Sequence, residues 1–209
     1  LRFFDPVMQA SIDAQLQLEH ALNQALADEA FVLHYQPQVD AEGRTVGAEA
    51  LIRWIGADGQ LILPSSFIKA AETGGQIHEI GTWVMFAACT QLAQWAHDPE
   101  LRELSLSINV SAHQFTEPGF LSTAEGILGA TGADPRRLRL ELTESLLFRD
   151  TGDAAITMAA LKSDGVTFTL DDFGTGYSSL ASLRQLPLSQ LKIDHSFMRD
   201  VMTSSNDAA

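Results

Sequence analysis

Residues 166–179 read VTFTLDDFGTGYSS. Val166–Leu170 alternate between apolar and polar side chains, which is typical of a β-strand. The strand ends in two adjacent carboxylates, Asp171 and Asp172, and runs into a loop with two glycines. Neighbouring carboxylates repel each other by about 1–4 kcal/mol at ~4 Å. The motif alone leaves two explanations open: a turn screened by water or a cation held between the carboxylates.

Working outward from this stretch, the same pattern of an apolar strand followed by a helix recurs along the chain. Strands are predicted near residues 31–36, 45–52, 104–110, 138–142, 166–170 and 190–193. Helices are predicted at residues 5–29, 64–74, 76–96, 120–130, 153–163 and 178–186. Only a short polar turn joins the first two strands, and a parallel pair needs a crossover of about a dozen residues, so we expect them to pair antiparallel. The later strand–helix units favour a parallel sheet, either open or closed as a barrel.

Composition and charge limit the class of protein. The chain has 209 residues, with 45% hydrophobic and 19% charged side chains, which indicates one globular domain. No apolar run approaches the ~20 residues needed to cross a bilayer. The net charge of −14 argues against binding to DNA, RNA or an anionic membrane. Cys89 is the only cysteine, which excludes an internal disulfide and fits a cytoplasmic location.

Polar side chains stand at the ends of five successive predicted strands. They are Glu49, Asn109, Glu141, the pair Asp171 and Asp172, and the pair Lys192 and Asp194. In parallel α/β folds, the carboxyl ends of the strands form the edge where sites are built. A single polar residue at a strand end is often a solvated rim residue, but five in succession at one edge argue against that explanation.

The residue types at this edge indicate metal chemistry. Like charges confined in one site raise carboxylate pKa values, and a hard divalent cation removes that conflict. An all-oxygen ligand set with one amide suits Mg²⁺ or Mn²⁺. None of the six histidines has metal-ligand spacing to another, and we interpret His34 and His113 as packing or substrate-side residues. A phosphodiester site with two metal ions is therefore the leading interpretation.

The motifs that carry these residues resemble the EAL-domain family, the phosphodiesterases of cyclic di-GMP. They are YQP at 35–37, AEALIRW at 48–54, INVSAHQF at 108–115, ELTES at 141–145, DDFGTGYSSL at 171–180 and LKIDHSF at 191–197. The similarity extends from Phe31 to Val201. It implies a barrel similar to the TIM (β/α) type with an antiparallel first strand, of which about six of eight strands are present.

The resemblance also implies a role for each site residue. The expected ligands of two Mg²⁺ or Mn²⁺ ions are Glu49, Asn109, Glu141, Asp171 and Asp172. The expected catalytic residues are Lys192 and Asp194, although Asp194 could instead cap the following helix. Gln36, Leu51 and Arg53 would line the substrate groove, although Gln36 could simply be a strand-edge hydrogen-bonding residue. Glu144 would anchor the loop that follows Asp172. The implied reaction opens cyclic di-GMP to the linear dinucleotide pGpG.

The domain organisation follows from the same resemblance. Residues 1–29 resemble the connector helix that follows a GGDEF domain, and residues 30–209 resemble an EAL domain without its "AEGVE"-like segment. We expect a homodimer, with a GGDEF or sensor domain as N-terminal partner. We also expect that the isolated 209-residue chain is inactive, and that it is either poorly soluble or associated through an open sheet edge.

Three classes of function stay open at this stage: an active phosphodiesterase, a cyclic di-GMP receptor without hydrolysis, and a regulatory or dimerisation module. Every expected ligand within the motifs is intact, which favours the enzyme. His113 and His195 depart from the family, which often has Arg at the first position and Arg or Lys near the second.

Overall fold

One sheet flanked by helices makes up the described part of the chain. The structure, a computed structural model, describes residues 6–143, 146, 151–173 and 186–193. The strands are β1 Phe31–Val39, β2 Thr45–Ile55, β3 Leu61–Ile62, β4 Ser105–Val110, β5 Leu138–Thr143, β6 Thr167–Phe173 and β7 Gln190–Ile193. The helices are α1 Pro6–Ala27, α2 Ile68–Gly74, α3 Ile77–Trp95, α4 Ala112–Phe115, α5 Phe120–Thr131 and α6 Thr151–Asp164.

The strand order is β1-β2-β4-β5-β6-β7, with the short β3 paired to β2. β1 and β2 form an antiparallel hairpin, and every later pair along this path is parallel. Both predictions, the antiparallel first strand and the parallel sheet that follows, are confirmed. β1 and β7 stand at opposite ends of the sheet, so the strands of the described residues do not close into a barrel.

Alternation along the strands gives the sheet one apolar and one polar face. Leu106, Ile108, Leu140 and Phe168 are buried on the face that packs against the helices. Full burial of such a side chain contributes about 1.5–3 kcal/mol. The residues between them point to the other face, which we call the inner face, and most of them are polar. Five of the residues predicted as a site therefore share one face of the sheet: Glu49, Asn109, Glu141, Asp171 and Lys192.

Aromatic packing fixes the position of the β1–β2 hairpin. The ring of Phe31 contacts those of Trp54, Phe67 and Trp83, with centroid separations of 6.2, 5.9 and 5.9 Å. Trp54 and Phe67 also meet edge to face at 5.8 Å. A slip of one residue would turn every side chain of a strand to the opposite face. The aromatic cluster thereby holds Glu49 on the inner face.

Several elements differ from the sequence predictions. The segment predicted as one helix at 64–74 is a 3₁₀ turn, Pro64–Ser66, followed by α2. β3 and α4 were not predicted because two and four residues are too short to show a hydrophobic period. Most of the helix predicted at 178–186 lies outside the described residues. None of the helices described here is both long enough and apolar enough to span a bilayer.

Candidate active site

Five strands bring the predicted polar residues together on the inner face. Glu49 comes from β2, Asn109 from β4, Glu141 from β5, Asp171 from β6 and Lys192 from β7. One carboxylate oxygen each from Glu49, Glu141 and Asp171 lies within 4.8 Å of the others. We call these three side chains the carboxylate cluster.

Lys192 lies at the centre of the carboxylate cluster. Its Nζ donates to Glu49 Oε2 at 3.0 Å, Glu141 Oε2 at 2.6 Å and Asp171 Oδ2 at 3.1 Å. Asn109 Nδ2 donates to the other oxygen of Glu49, Oε1, at 2.7 Å. The three carboxylates and the amine are therefore held in one hydrogen-bonded group.

Burial and charge act in opposite directions on the protonation of this group. Burial raises the pKa of Glu141 above its ordinary value, and the hydrogen bond from Lys192 opposes that shift. Partial burial by itself lowers the pKa of Lys192, but hydrogen bonds to Glu141 and Glu49 outweigh it and raise the pKa. Lys192 is therefore held as a cation, while three ionised carboxylates would leave the group with excess negative charge.

The carboxylate cluster fits a divalent cation. Its donors are carboxylate oxygens, which Mg²⁺ and Mn²⁺ prefer. Glu141 is only 2% exposed, and its Oε1 has no hydrogen-bond partner among the described residues. A buried carboxylate oxygen without a partner is costly, so this atom is suited to accept either a cation or a hydrogen-bond donor.

The strand end at Asp171 and Asp172 is irregular. The pairing of β6 with β7 shifts register between Leu170 and Phe173, as in a β-bulge. Asp172 has a φ of 55°, a left-handed conformation that Asp tolerates better than most residues, and its backbone N donates to Asp171 Oδ1 at 2.8 Å. Asp172 is exposed and lies outside the carboxylate cluster. The bulge therefore separates two carboxylates that are adjacent in sequence.

The residues predicted to contact substrate flank the carboxylate cluster along the hairpin. Gln36 is the register partner of Glu49, and His34 is the partner of Leu51. Arg53 lies farther along the same face of β2, and its Nη1 donates to the Ile52 carbonyl at 2.8 Å. These side chains give the cluster a polar border on the β1–β2 side.

A cavity of about 280 Å³ opens beside the same border. Leu51 and Asn109 connect it to the cluster, while Glu72 and Gln114 line it from the helices. His113 Nδ1 lies 3.9 Å from Glu72 Oε1. His113, which was predicted to be a packing or substrate-side residue, therefore lies at the edge of this cavity, beside the carboxylate of Glu72.

Three predicted positions, Glu144, Asp194 and His195, lie outside the described residues. Two further residues on the inner face, Ser107 and Thr169, are fully buried and were not predicted as part of the site. The only sequence feature that points to them is the alternation of side chains along a strand. Ser107 lies two positions before Asn109, and Thr169 lies two positions before Asp171, so each shares a face with a site residue.

The chain is similar to curated proteins along almost its whole length. At 42% identity over 208 residues, the chain matches MucR of Pseudomonas aeruginosa, named a bifunctional diguanylate cyclase/cyclic di-GMP phosphodiesterase. That match covers 99% of this chain and 30% of MucR.

Solved structures are similar to this fold as well. The MucR phosphodiesterase in complex with c-di-GMP superposes with a TM-score of 0.85 at 41% identity, over 92% of this chain and 78% of that one. The EAL enzyme Bd1971 in its cAMP- and cyclic-di-GMP-bound form superposes with a TM-score of 0.86 at 30% identity, over 95% and 55%. The sequence pattern of the EAL domain matches residues 19–209, and the chain belongs to the EAL domain family.

Proposed function

We propose that this chain is a metal-dependent phosphodiesterase that hydrolyses cyclic di-GMP to pGpG. The observation that carries the proposal is the convergence of Glu49, Glu141, Asp171, Asn109 and Lys192 at one edge of the sheet. The similarity to a MucR phosphodiesterase bound to c-di-GMP supports the choice of substrate.

In this proposal each residue has a role that follows from its position in the site. Glu49, Asn109, Glu141 and Asp171 would hold one Mg²⁺ or Mn²⁺ ion, and Asp172 would serve a second. Bound divalent ions lower the pKa of a coordinated water and stabilise charge on the reacting phosphate. Lys192, a cation held beside the carboxylates, would stabilise the phosphate or the attacking water.

The substrate-side residues would orient the dinucleotide. The Arg53 guanidinium suits a phosphate oxygen, while Gln36 and Leu51 would line the groove beside it. Asp194 is proposed to support the site and Glu144 to anchor the loop after Asp172, both from the motifs that contain them.

A receptor that binds cyclic di-GMP without hydrolysis is the second candidate. One observation favours it: Lys192 already neutralises part of the carboxylate cluster through three hydrogen bonds. A cluster that is partly neutralised in this way is less dependent on a metal ion. Such a protein would bind cyclic di-GMP saturably and release no product.

The decisive experiment incubates the full-length gene product with cyclic di-GMP and Mg²⁺ and measures pGpG by chromatography. We expect pGpG to accumulate with Mg²⁺ and to disappear when EDTA is added. Saturable binding without pGpG would replace the enzyme with the receptor. No binding at all would contradict both.

The first mutational prediction concerns Glu49. Glu49→Ala should lower turnover by at least about 100-fold, since the loss of residues that merely support ligands costs 10–100-fold. The melting temperature should stay within a few degrees, because removal of one of three clustered carboxylates also relieves repulsion. Glu125→Ala, on the exposed face of α5, removes the same group elsewhere and should retain wild-type turnover. Wild-type turnover in Glu49→Ala would refute the assignment.

The chain is also proposed to work as a homodimer next to a GGDEF or sensor domain. The neighbouring domain is supported by the finding that the chain spans 30% of the length of MucR, whose name includes a diguanylate cyclase activity. Light scattering of the full-length gene product tests the dimer directly, and a monomer at all concentrations would contradict it.

A further inference from the structure

We infer that Ser107 is a positioning residue for the Glu141 carboxylate, and that Gln38 in turn orients the Ser107 hydroxyl. The inference rests on the proposed function, because Glu141 is one of the proposed metal ligands. The side chain of Glu141 is 1% exposed, against 15% for Glu49 and 18% for Asp171. Solvent therefore has little access to this carboxylate, and neighbouring protein groups set the direction of its oxygens.

Ser107 lies on the inner face of β4, one step below the carboxylate cluster, and is fully buried. Its register partners are Glu49 on β2 and Arg139 on β5, and Arg139 stands two positions before Glu141 on the same face. From there Ser107 forms a side-chain hydrogen bond with Glu141, which opposes the rise in the pKa of that carboxyl group. Because an ionised carboxylate can only accept, the Ser107 hydroxyl is the donor in this bond.

The Ser107 hydroxyl also has a partner on the first strand. Gln38 Nε2 on β1 donates to Ser107 Oγ at 3.5 Å, which is a long hydrogen bond. A hydroxyl has one proton to donate, and the amide of Gln38 occupies an accepting position on its oxygen. The proton is therefore left for Glu141. The two hydrogen bonds run in one direction, from the amide through the hydroxyl to the carboxylate.

Gly47 leaves room for Gln38 to reach across β2. This strand lies between β1 and β4, and Gly47 is the register partner of Gln38 on one side and of Ser105 on the other. A Cβ at Gly47 would lie 3.4 Å from Gln38 Oε1 and 2.6 Å from the Ser105 carbonyl oxygen. Any larger residue would displace the Gln38 side chain or the backbone of β4. The contact between β1 and β4 therefore depends on a glycine at this position.

Glu141 thus receives donors from both sides of its own strand. In the sheet order, β4 lies on one side of β5, while β6 and β7 lie on the other. Lys192 on β7 donates to Glu141 Oε2 at 2.6 Å, and Ser107 donates from β4. Groups that orient a ligand in this way typically change metal affinity by about 10–100-fold when they are removed. We therefore expect the Ser107 hydroxyl to contribute to metal binding without touching the metal.

Mn²⁺ affinity without substrate, measured by calorimetry on the full-length gene product, tests the positioning role. The binding that Glu49→Ala removes reports this site. Ser107→Ala should weaken that binding by about 10-fold and leave the melting temperature close to that of the wild type. Ser107→Thr keeps the hydroxyl but adds a methyl group in a buried position, so it should lower the melting temperature and keep the Mn²⁺ affinity close to that of the wild type.

Ser105→Ala is the matched control, because Ser105 lies two positions earlier on the same face of β4. It should leave Mn²⁺ affinity unchanged. Wild-type affinity in Ser107→Ala would refute the positioning role. An affinity that follows the melting temperature from variant to variant, rather than the presence of the hydroxyl, would refute it as well.

Gln38→Met, which keeps the length of the side chain and removes the amide, tests whether Gln38 acts through Ser107. Alone it should weaken Mn²⁺ binding by about 3-fold, as expected for one weak neutral hydrogen bond. Combined with Ser107→Ala it should cause no further loss, because no hydroxyl is left to orient. Gln15→Met, which removes an exposed amide that donates to Glu19 at 3.0 Å, is the control. Independent losses that multiply to about 30-fold in the double variant would refute the link.

A crystal structure of the full-length gene product grown in EDTA tests the contacts without metal. We expect Ser107 Oγ about 2.5–3.0 Å from a Glu141 carboxylate oxygen, with Gln38 Nε2 on its other side. A Ser107 hydroxyl that donates to a backbone carbonyl instead would overturn the inference. A wild type without Mn²⁺ binding that depends on Glu49 would refute the proposed function, and the crystal structure would still decide whether Ser107 holds Glu141.

Discussion

Lys192 shows how one side chain controls the charge of a whole site. Its amine contacts all three members of the carboxylate cluster, and the side chain is 31% exposed. Without Lys192, the carboxylates would face one another with no positive side chain from the described residues between them. The stability of the metal-free protein should therefore depend on this residue more than on other lysines.

We predict that Lys192→Met lowers the melting temperature in EDTA by about 2–8 °C, from a loss of about 1–2 kcal/mol for a partly exposed ion group. Mg²⁺ should then raise the melting temperature more in the mutant than in the wild type, because the cation replaces the lost charge. Lys69→Met removes an exposed lysine elsewhere and serves as the control. Identical thermal behaviour of the two mutants would contradict this account.

Cys89 has a side chain that is ordinarily reactive, but its surroundings make it unreactive. It is fully buried in α3, and burial raises the pKa of its thiol to about 12. Since the thiolate is the reactive form, a disulfide reagent at pH 8 should label the native protein at least about 100-fold more slowly than the denatured protein. Prompt labelling of the native protein would show that α3 opens readily.

At the scale of elements, the turn from α6 into β6 depends on one glycine. Gly165 has a φ of 114°, and a Cβ there would lie 2.8 Å from Arg136 Cγ and 3.3 Å from the Arg136 backbone N. This turn sets where β6 begins, and therefore where Asp171 meets the other carboxylates.

We predict that Gly165→Ala destabilises the protein by about 1–3 kcal/mol, through backbone strain and the contact with Arg136. Gly126→Ala, within α5, should instead stabilise it by about 0.5–1 kcal/mol, because a Cβ there meets no atom within 4 Å and alanine favours the helix. Urea denaturation of both variants measures whether the free energy of unfolding falls or rises. An unchanged free energy of unfolding in Gly165→Ala would show that the turn can rearrange.

At the scale of the whole molecule, the net charge of −14 opposes the proposed anionic ligand. A like-charged pair associates faster when salt screens the repulsion. We predict that the association rate of cyclic di-GMP rises about twofold between 50 and 200 mM salt, as measured by stopped-flow. Guanosine, which is uncharged, is the control ligand and should show no change. A rate that falls with salt would mean that local positive charge at the site outweighs the overall field.

Local patterns in the sequence were enough to predict which residues meet. Glu49, Asn109, Glu141, Asp171 and Lys192 were predicted as one group because parallel strands share a carboxyl-terminal edge, and the structure places them together. The antiparallel hairpin followed from a turn too short for a crossover. These inferences succeed because they depend on the spacing of apolar residues within a segment and on the length of the connections, and both can be read directly from the sequence.

How those residues meet depends on the packing of distant segments, which local patterns do not specify. Glu49 and Lys192 are 143 positions apart, so their 3.0 Å contact depends on the register of every strand between them. The bulge that leaves Asp172 outside the carboxylate cluster arises from the pairing of β6 with β7. The burial of Thr169 beside Glu141 likewise depends on two strands lying in register. Distances and burial are properties of packing between segments, and periodicity along one segment does not specify them.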